Sequence, residues 1–245
     1  MPRLALMLLG PLQVTLDDRP LAFATDKVRA LLAYLAVESD RLHPRDSLAG
    51  LLWPDYAESS ARQSLSQALS SLRAALGDRA TGDRPPPFLL IARDTVSLNP
   101  SCAYELDIAE LDQVLAAIPD MVATEAIARL QAAAAHYRGP FLQGFALGDS
   151  APFEEWITSR REEYHRRFLA VLQRLAELHE QEGAYGSAEK WARRWVELDP
   201  LNEEAQRQLM RVLALGGQRS AALAQYQACR RLLADDLGVE PEPET

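Results

Sequence analysis

The chain has 245 residues, 48% of them hydrophobic and 25% charged, and a formal net charge of -9 at pH 7. This is typical of one or two globular domains, and no apolar run approaches the ~20 residues that span a bilayer, so we expect no membrane partner. The acidic balance excludes a protein that binds polyanions over its whole surface, but it leaves room for a local basic footprint.

The first part of the chain is predicted to form short β-strands. Residues 4–9, 12–16 and 19–23 are mostly apolar, and the pairs Gly10-Pro11 and Asp17-Asp18 separate them. Apolar stretches of this length that are joined by turn-forming residues are typical of strands. We therefore expect a small sheet at the start of the chain.

Three helices are predicted after this sheet. The first has four apolar residues on one helical face, namely Val28, Leu31, Leu32 and Leu35. Thr25 is suited to cap its first turn. A second helix is predicted to follow Pro44 and to end at Trp53-Pro54, because the backbone before a proline disfavours helix. The third covers about residues 59–76 and is predicted to stop at Gly77.

A loop and a hairpin are predicted to follow the third helix. Residues 77–87 are polar and rich in glycine and proline, which is typical of a loop. Residues 88–100 read as two short strands about a tight turn near residues 92–95. A helix that follows another short helix and precedes a two-stranded hairpin indicates a winged helix-turn-helix, in which the third helix enters the major groove of DNA.

The third helix has an unusual composition for a surface helix. Its leucines at positions 65, 69, 72 and 76 fall on one face, and no acidic residue occurs from Ser59 to Leu76 in a chain that has more acids than bases. An ordinary surface helix carries Glu and Lys on its outer face, and a mildly polar helix of this kind is the alternative interpretation. Gln and Ser are suited to base edges and phosphates, whereas carboxylates would repel them.

The predicted DNA-binding residues come from this outer face and from the wing. They are Arg62, Gln63, Ser66, Gln67, Ser70 and Arg73 on the third helix, and Arg93 on the turn of the hairpin. Lys27, Arg29 and Arg45 can add phosphate contacts, although ordinary surface charge explains them better.

From residue 101 onwards the chain is predicted to be all-helical. Three residue pairs are 34 positions apart and share their residue type: Leu175 and Leu209, Gly183 and Gly217, Ala188 and Ala222. A 34-residue period with a helix–glycine–helix plan is the signature of tetratricopeptide repeats. Two such repeats are too few for a free-standing array, so they are expected to pack on the helices before them.

No motif of the sequence supports an enzyme. No phosphate-binding glycine loop and no nucleophile elbow occur, and the four histidines show no ligand spacing. Ser187 and Lys190 have the spacing of some acyl-enzymes, but they lie where the repeat needs small residues. We therefore predict no catalytic residue, no metal and no cofactor. Cys102 and Cys229 are far apart in sequence, which suggests reduced thiols and a cytoplasmic protein.

Several stretches together resemble the bacterial transcriptional activators of the antibiotic-regulatory-protein type. These stretches are "LLGPLQV", "KVRALLAYLAVE", "LAGLLWPD", "ARQSLSQALSSLRAALGD", "FLLIARDTVSLN" and "DDLGVEPEPET". The family pairs an OmpR-like winged helix with a helical bacterial transcriptional activator domain related to tetratricopeptide repeats. The resemblance implies sequence-specific binding to double-stranded DNA, recruitment of RNA polymerase, and a helical domain that supports dimerisation.

The resemblance also bears on individual residues. Arg62 and Arg73 match arginines that flank the family's recognition helix, and Gln67 is carried over with them. The family often has more basic residues at the positions of Ser70 and Ser71 and a histidine at Ala68, so the middle of this helix is unusually neutral.

The sequence thus predicts a mainly α chain with an α+β winged helix-turn-helix over residues 1–100 and an all-α tetratricopeptide-like domain over residues 101–245. The predicted function is a DNA-binding transcriptional activator that contacts RNA polymerase and binds repeated half-sites as a homodimer. The alternative is an interaction or sensor module of a larger signalling ATPase, whose winged helix no longer binds DNA strongly. The acidic net charge and the small number of basic residues on the recognition helix favour this alternative, whereas the acid-free face and Arg93 disfavour it.

Overall fold

The computed structural model describes residues 2–78, 87–118 and 121–245. Most of the loop predicted over residues 77–87 lies outside these ranges. Two compact units are present, Met1–Ala109 with His136–Tyr164, and Glu110–Ala135 with His165–Thr245. Within the described ranges, none of the helices combines the length and the apolarity that crossing a membrane requires.

The first unit contains a four-stranded sheet built on the start of the chain. Its strands are β1 (Leu4–Met7), β2 (Gln13–Leu16), β3 (Arg19–Pro20) and β7 (Tyr104–Leu106), in the order β3-β2-β1-β7. The strands β1, β2 and β3 run antiparallel, and Leu4 pairs with Leu16. The strand β7 pairs in parallel with β1, with Leu6 opposite Leu106. The sequence predicted the first three strands but only helices beyond residue 100, so it did not predict β7.

Asp107 ties the end of β7 to β1. Its carboxylate accepts the backbone N–H of Leu8 and that of Leu9, each at 2.8 Å. The side chain is buried, and burial raises the pKa of the Asp107 carboxyl more than these hydrogen bonds lower it. This carboxylate therefore satisfies two backbone donors at the edge of the sheet.

Three helices follow the first strands, as predicted. They are α1 (Asp26–Val37), α2 (Arg45–Leu52) and α3 (Glu58–Leu76). Thr25 caps α1, since its hydroxyl accepts the N–H of Val28 at 3.4 Å. Gly77 ends α3 with a φ of +73°, a left-handed conformation that glycine adopts without steric cost. Leucines of all three helices form the core of the unit.

The predicted hairpin is present and belongs to a second sheet. Its strands are β5 (Leu89–Ile91) and β6 (Thr95–Leu98), which pair antiparallel with Leu89 opposite Leu98. A short strand β4 (His43–Pro44), immediately before α2, pairs with the other edge of β6. Because β4 leads directly into α2, this pairing places the hairpin beside the start of α2.

Six further helices follow within the residues that the structure describes. They are α4 (Asp107–Ala117), α5 (Ala123–His136), α6 (Ala151–Gln181), α7 (Tyr185–Leu198), α8 (Glu203–Leu215) and α9 (Arg219–Leu237). The first turns of α6 belong to the first unit, where Phe153 and Ile157 are completely buried. The chain is mainly helical, with a winged α+β portion followed by a helical portion, so the predicted fold class is confirmed.

The predicted 34-residue repeat is visible in the second unit. Gly183 lies between α6 and α7 with a φ of +71°, and Gly217 lies between α8 and α9 with a φ of +80°. The helices pack through a shared buried cluster: Ala176, Ala188, Ala192, Leu209, Val212 and Leu213. Small side chains at 188 and 192 allow close approach of the helices, and the alanine at 188 recurs as Ala222 in the repeat.

Candidate nucleic-acid interface

Helix α3 shows the predicted division into two faces. Leu65, Leu69, Leu72 and Leu76 are at most 3% exposed. The exposed residues of the opposite face are Arg62, Gln63, Ser66, Gln67 and Ser70, while Arg73 is half-buried. Six of the seven predicted site residues therefore lie on one helix. Arg93, the seventh, is exposed on the turn between β5 and β6.

Arg62 is held by two carboxylates. Its Nε and Nη2 atoms donate to the two oxygens of Asp46 at 2.7 and 2.8 Å, and Glu58 lies 2.8 Å from Nη2. The hydrogen bond with Asp46 raises the pKa of Arg62, and the same bond lowers the pKa of Asp46. The two side chains are 52% and 64% exposed, so water and salt screen this pair. Arg62 is thus positioned on α3 before any ligand binds.

Ser66 is also engaged within the protein. Its hydroxyl donates to the backbone carbonyl of Arg62 at 2.8 Å and accepts from Nη2 of Arg45 at 2.9 Å. A serine hydroxyl has one hydrogen to donate and two lone pairs. In this arrangement Ser66 retains only acceptor capacity, which suits a base amino group and does not suit a phosphate oxygen.

Four predicted site residues have uncommitted side chains. Across residues 2–78, 87–118 and 121–245, no hydrogen bond or ion pair engages the side chains of Gln63, Gln67, Ser70 or Arg93, and all four are exposed. A glutamine amide offers both donors and acceptors and can pair with the two major-groove atoms of adenine. The two glutamines are therefore the groups on α3 best suited to read base edges.

An open depression of about 390 Å³ lies between α3, the start of α2 and the hairpin. It is lined by Arg45, Ser66, Leu69, Ser70, Arg73, Ala74 and Ile91. Nη2 of Arg73 donates to the carbonyl of Asp78 at 3.1 Å, and the backbone N–H of Arg45 donates to the backbone carbonyl of Asp94 at 2.9 Å. Two guanidinium groups and the hydroxyl of Ser70 around an open depression are suited to the oxygens of a phosphate.

Arg45 lies beside the predicted site residues, although the sequence favoured ordinary surface charge over a phosphate contact for it. Its position just after Pro44 allowed a phosphate contact but did not distinguish it from an ordinary charge at a helix start. The strand β4 turns α2 so that this side chain reaches Ser66, 21 positions along the chain. The other two cations considered are engaged elsewhere: Lys27 pairs with Asp149 at 2.7 Å, and Arg29 pairs with Asp26 at 2.9 Å.

The acid-free stretch of α3 does not produce an acid-free surface. Four arginines lie on or around its outer face, at positions 45, 62, 73 and 93, and carboxylates lie near them at positions 46, 58 and 94. The formal charges of these seven groups nearly cancel. The carboxylates come from α2, the first turn of α3 and the hairpin turn, so the composition of residues 59–76 could not reveal them.

The comparisons with known proteins identify relatives along nearly the whole chain. A family model described as the bacterial transcriptional activator domain matches residues 107–245. The chain is 32% identical to the transcriptional regulatory protein EmbR of Mycobacterium tuberculosis, over 98% of this chain and 61% of that protein. It is 28% identical to the transcriptional regulatory protein MoaR1 of Mycobacterium tuberculosis, over 96% of this chain and 74% of that protein. It is 27% identical to the regulatory protein AfsR of Streptomyces coelicolor, over 96% of this chain and 23% of that protein.

A solved structure is similar as well. The structure of Mycobacterium tuberculosis EmbR in complex with a low affinity phosphopeptide matches 100% of this chain and 63% of its own, with a TM-score of 0.77 and 29% identity. The chain described here therefore spans about three-fifths of EmbR and a smaller share of AfsR.

Proposed function

Because this chain belongs to the bacterial transcriptional activators of the antibiotic-regulatory-protein type, we propose that it binds double-stranded DNA in a sequence-specific manner through α3. Its relatives are named transcriptional regulators. The observation that carries the proposal is the row of uncommitted polar side chains on α3, beside a two-stranded wing. We assign DNA binding to residues 1–100 and protein contacts to the helical domain over residues 101–245.

The proposed binding mode divides the side chains into three groups. The helix α3 enters the major groove, where Gln63 and Gln67 contact base edges and Ser70 contributes a further hydrogen bond. Arg45 and Arg73 contact phosphates at the depression between them. Arg93 contacts the backbone or the adjacent minor groove from the wing. Bidentate contacts to bases are worth about 1–3 kcal/mol each in discrimination.

The charge of the chain sets the expected strength of binding. Each neutralised phosphate contributes about 0.9 to the slope of log K against log salt, and this face offers few unpaired cations, so we expect a shallow salt dependence. A net charge of -9 adds long-range repulsion from DNA. Useful affinity then requires two copies on adjacent half-sites, because tethering raises the effective concentration of the second. We propose that the helical domain supports this pairing and contacts RNA polymerase.

A second candidate function is favoured by the near-cancelling charges around α3. In that case the winged helix does not bind DNA, and the chain is an interaction or sensor module of a larger signalling protein. The span of only 23% of AfsR is compatible with such a larger protein. The two candidates differ in whether the outer face of α3 contacts nucleic acid.

A selection experiment separates the two functions. The chain is mixed with a library of random duplexes, bound duplexes are recovered, and mobility shifts are measured over a range of salt concentrations. We expect enrichment of one sequence, loss of binding in the Arg62→Glu/Arg73→Glu variant, and no loss in an Arg231→Glu control, whose side chain is exposed on α9. If the wild type and the double variant bind equally poorly at every salt concentration, the DNA-binding proposal is wrong.

A further inference from the structure

We propose that Asp46 is a specificity-determining residue that positions Arg62 for base contacts and withholds it from phosphates. The inference rests on the proposed DNA binding by α3. Asp46 lies in the first turn of α2 and Arg62 in the second turn of α3. Asp46 places a carboxylate on a surface where an unselective DNA-binding protein would place only cations.

The geometry of the pair fixes which edge of Arg62 is available. Both carboxylate oxygens of Asp46 engage the Nε–Nη2 edge of the guanidinium, at 2.7 and 2.8 Å, in a bidentate arrangement. Glu58 lies 2.8 Å from Nη2 on the same side. Within the part of the chain that the structure describes, no carboxylate contacts Nη1, whose two N–H groups remain available to a ligand.

The backbone of Arg62 is fixed by the same network. Its carbonyl accepts from the hydroxyl of Ser66 at 2.8 Å, and that hydroxyl accepts from Arg45 at 2.9 Å. The hairpin carboxylate of Asp94 adds to the negative potential at the guanidinium. Carboxylates from α2, from α3 and from the hairpin turn therefore act on one exposed arginine. They restrict the conformations in which its side chain could contact a phosphate.

This arrangement affects specific and non-specific complexes differently. On a random duplex, Arg62 can offer its Nε–Nη2 edge to a phosphate only by breaking two charge-assisted hydrogen bonds, and the carboxylate left behind faces the DNA backbone. On the correct duplex, Nη1 donates to an acceptor on a base edge, such as O6 or N7 of guanine, while the pair with Asp46 stays intact. Asp46 thus weakens non-specific binding more than specific binding.

We expect the pair to contribute little to folding, so variants of it can be compared as folded proteins. Both side chains are more than half exposed, and exposed ion pairs contribute little to stability. The variant Asp46→Asn keeps the shape of the side chain and removes its charge. Asp40→Asn is the matched control, because Asp40 is exposed in the turn after α1 and the net charge changes by the same amount.

The experiment compares two duplexes of equal length: the sequence selected by the wild-type chain and a scrambled version of it. For Asp46→Asn we expect about five- to tenfold tighter binding to the scrambled duplex and a slope against log salt that is steeper by about 0.9, the value for one additional phosphate contact. The affinity for the selected duplex rises less or falls, so the ratio of the two affinities decreases. Asp40→Asn shifts both affinities by one factor.

A double-mutant cycle with Arg62→Ala assigns the effect to the pair. In the Arg62→Ala background, Asp46→Asn should act no differently from Asp40→Asn, since no arginine remains to be released. The inference is overturned if Asp46→Asn matches the control on both duplexes, or if its effect on the ratio persists without Arg62. If the wild type selects no sequence at all, the proposed DNA binding fails as well, whereas a selected sequence with an unchanged ratio contradicts only the role of Asp46.

Discussion

The indole N–H of Trp156 donates to the buried carboxylate of Glu38 at 2.9 Å. Arg160 donates to the same carboxylate oxygen at 2.5 Å, and Arg41 donates to the other oxygen at 2.6 Å. Glu38 is 6% exposed and follows the last residue of α1, whereas Trp156 and Arg160 belong to α6. One carboxylate therefore joins the first helix of the winged portion to a segment more than a hundred residues later.

Removal of this charge should destabilise the first unit. For Glu38→Gln we expect the free energy of unfolding to fall by about 2–3 kcal/mol, because a buried acceptor of charge-assisted hydrogen bonds is lost. Urea unfolding followed by tryptophan fluorescence measures the change. Glu155→Gln is the control, since this exposed residue is next to Trp156 and loses the same charge. Equal effects of the two substitutions would contradict the structural role of Glu38.

The same carboxylate predicts a dependence of stability on pH. Burial alone would raise the pKa of Glu38, but the hydrogen bonds from Trp156 and Arg160 and the charges of Arg160 and Arg41 outweigh it and hold the pKa below the ordinary value of 4.5. A carboxyl whose pKa is lower in the folded state than in the unfolded state stabilises the protein fully at pH values above its unfolded pKa. This stabilisation is lost as the pH falls through the folded pKa. The stability difference between wild type and Glu38→Gln should therefore be largest near neutral pH and shrink below about pH 4.5. If this stability difference instead grows on acidification, the pKa of Glu38 is not lowered in the folded state.

Asp107 gives a second test of stability. In Asp107→Ala the backbone N–H groups of Leu8 and Leu9 lose their acceptor while they remain buried, and each such loss costs about 1–3 kcal/mol. We expect a decrease of about 2–5 kcal/mol in the free energy of unfolding, measured by denaturant titration. The exposed control Asp40→Ala should change it by less than about 0.5 kcal/mol. A small effect of Asp107→Ala would indicate that water replaces the carboxylate.

The glutamines on α3 should determine sequence preference. Gln67→Ala should weaken binding to the selected duplex by about 5- to 150-fold, which corresponds to about 1–3 kcal/mol, and should leave the salt slope unchanged. Mobility shifts on the selected and the scrambled duplex measure both quantities. Gln227→Ala, an exposed glutamine on α9, serves as the control. Equal weakening on both duplexes would place Gln67 outside the base-reading surface.

Arg45 should act on all duplexes alike. Arg45→Ala removes one proposed phosphate contact, so we expect weaker binding to the selected and the scrambled duplex by the same factor and a salt slope that is shallower by about 0.9. Arg231→Ala, which alters an exposed arginine of the second unit, should leave the slope unchanged. A change in base preference with an unchanged slope would instead assign Arg45 to base contacts.

The elements of the fold could be predicted where the signal is local. The spacing of Val28, Leu31 and Leu35 records one face of a helix, and Gly77 marks the end of α3 through its left-handed conformation. The strand β7 lacked such a signal, because three residues do not establish an alternation and the partner strand is a hundred residues away.

The positions of the candidate site residues could be predicted from the sequence, but their hydrogen bonds and ion pairs could not. The periodicity of α3 placed Gln63, Gln67 and Arg62 on the outer face, where they lie. The pair between Arg62 and Asp46 depends on how two helices cross, and the sequence carries no pattern for a contact of this kind between separate elements. The same holds for the contact between Ser66 on α3 and Arg45 on α2.

The pairing of β7 with β1, and the place of residues 136–164 in the first unit, determine the order in which this protein can be assembled during synthesis. The sheet of the N-terminal strands can be completed only after residue 104 has been synthesised. Glu38 can form its hydrogen bonds with Trp156 and Arg160 only after those residues have been synthesised. Closure of such long loops is slow and is penalised by chain entropy. The amino-terminal half therefore emerges from the ribosome before its structure is complete. It reaches its final structure only after the start of α6 has emerged.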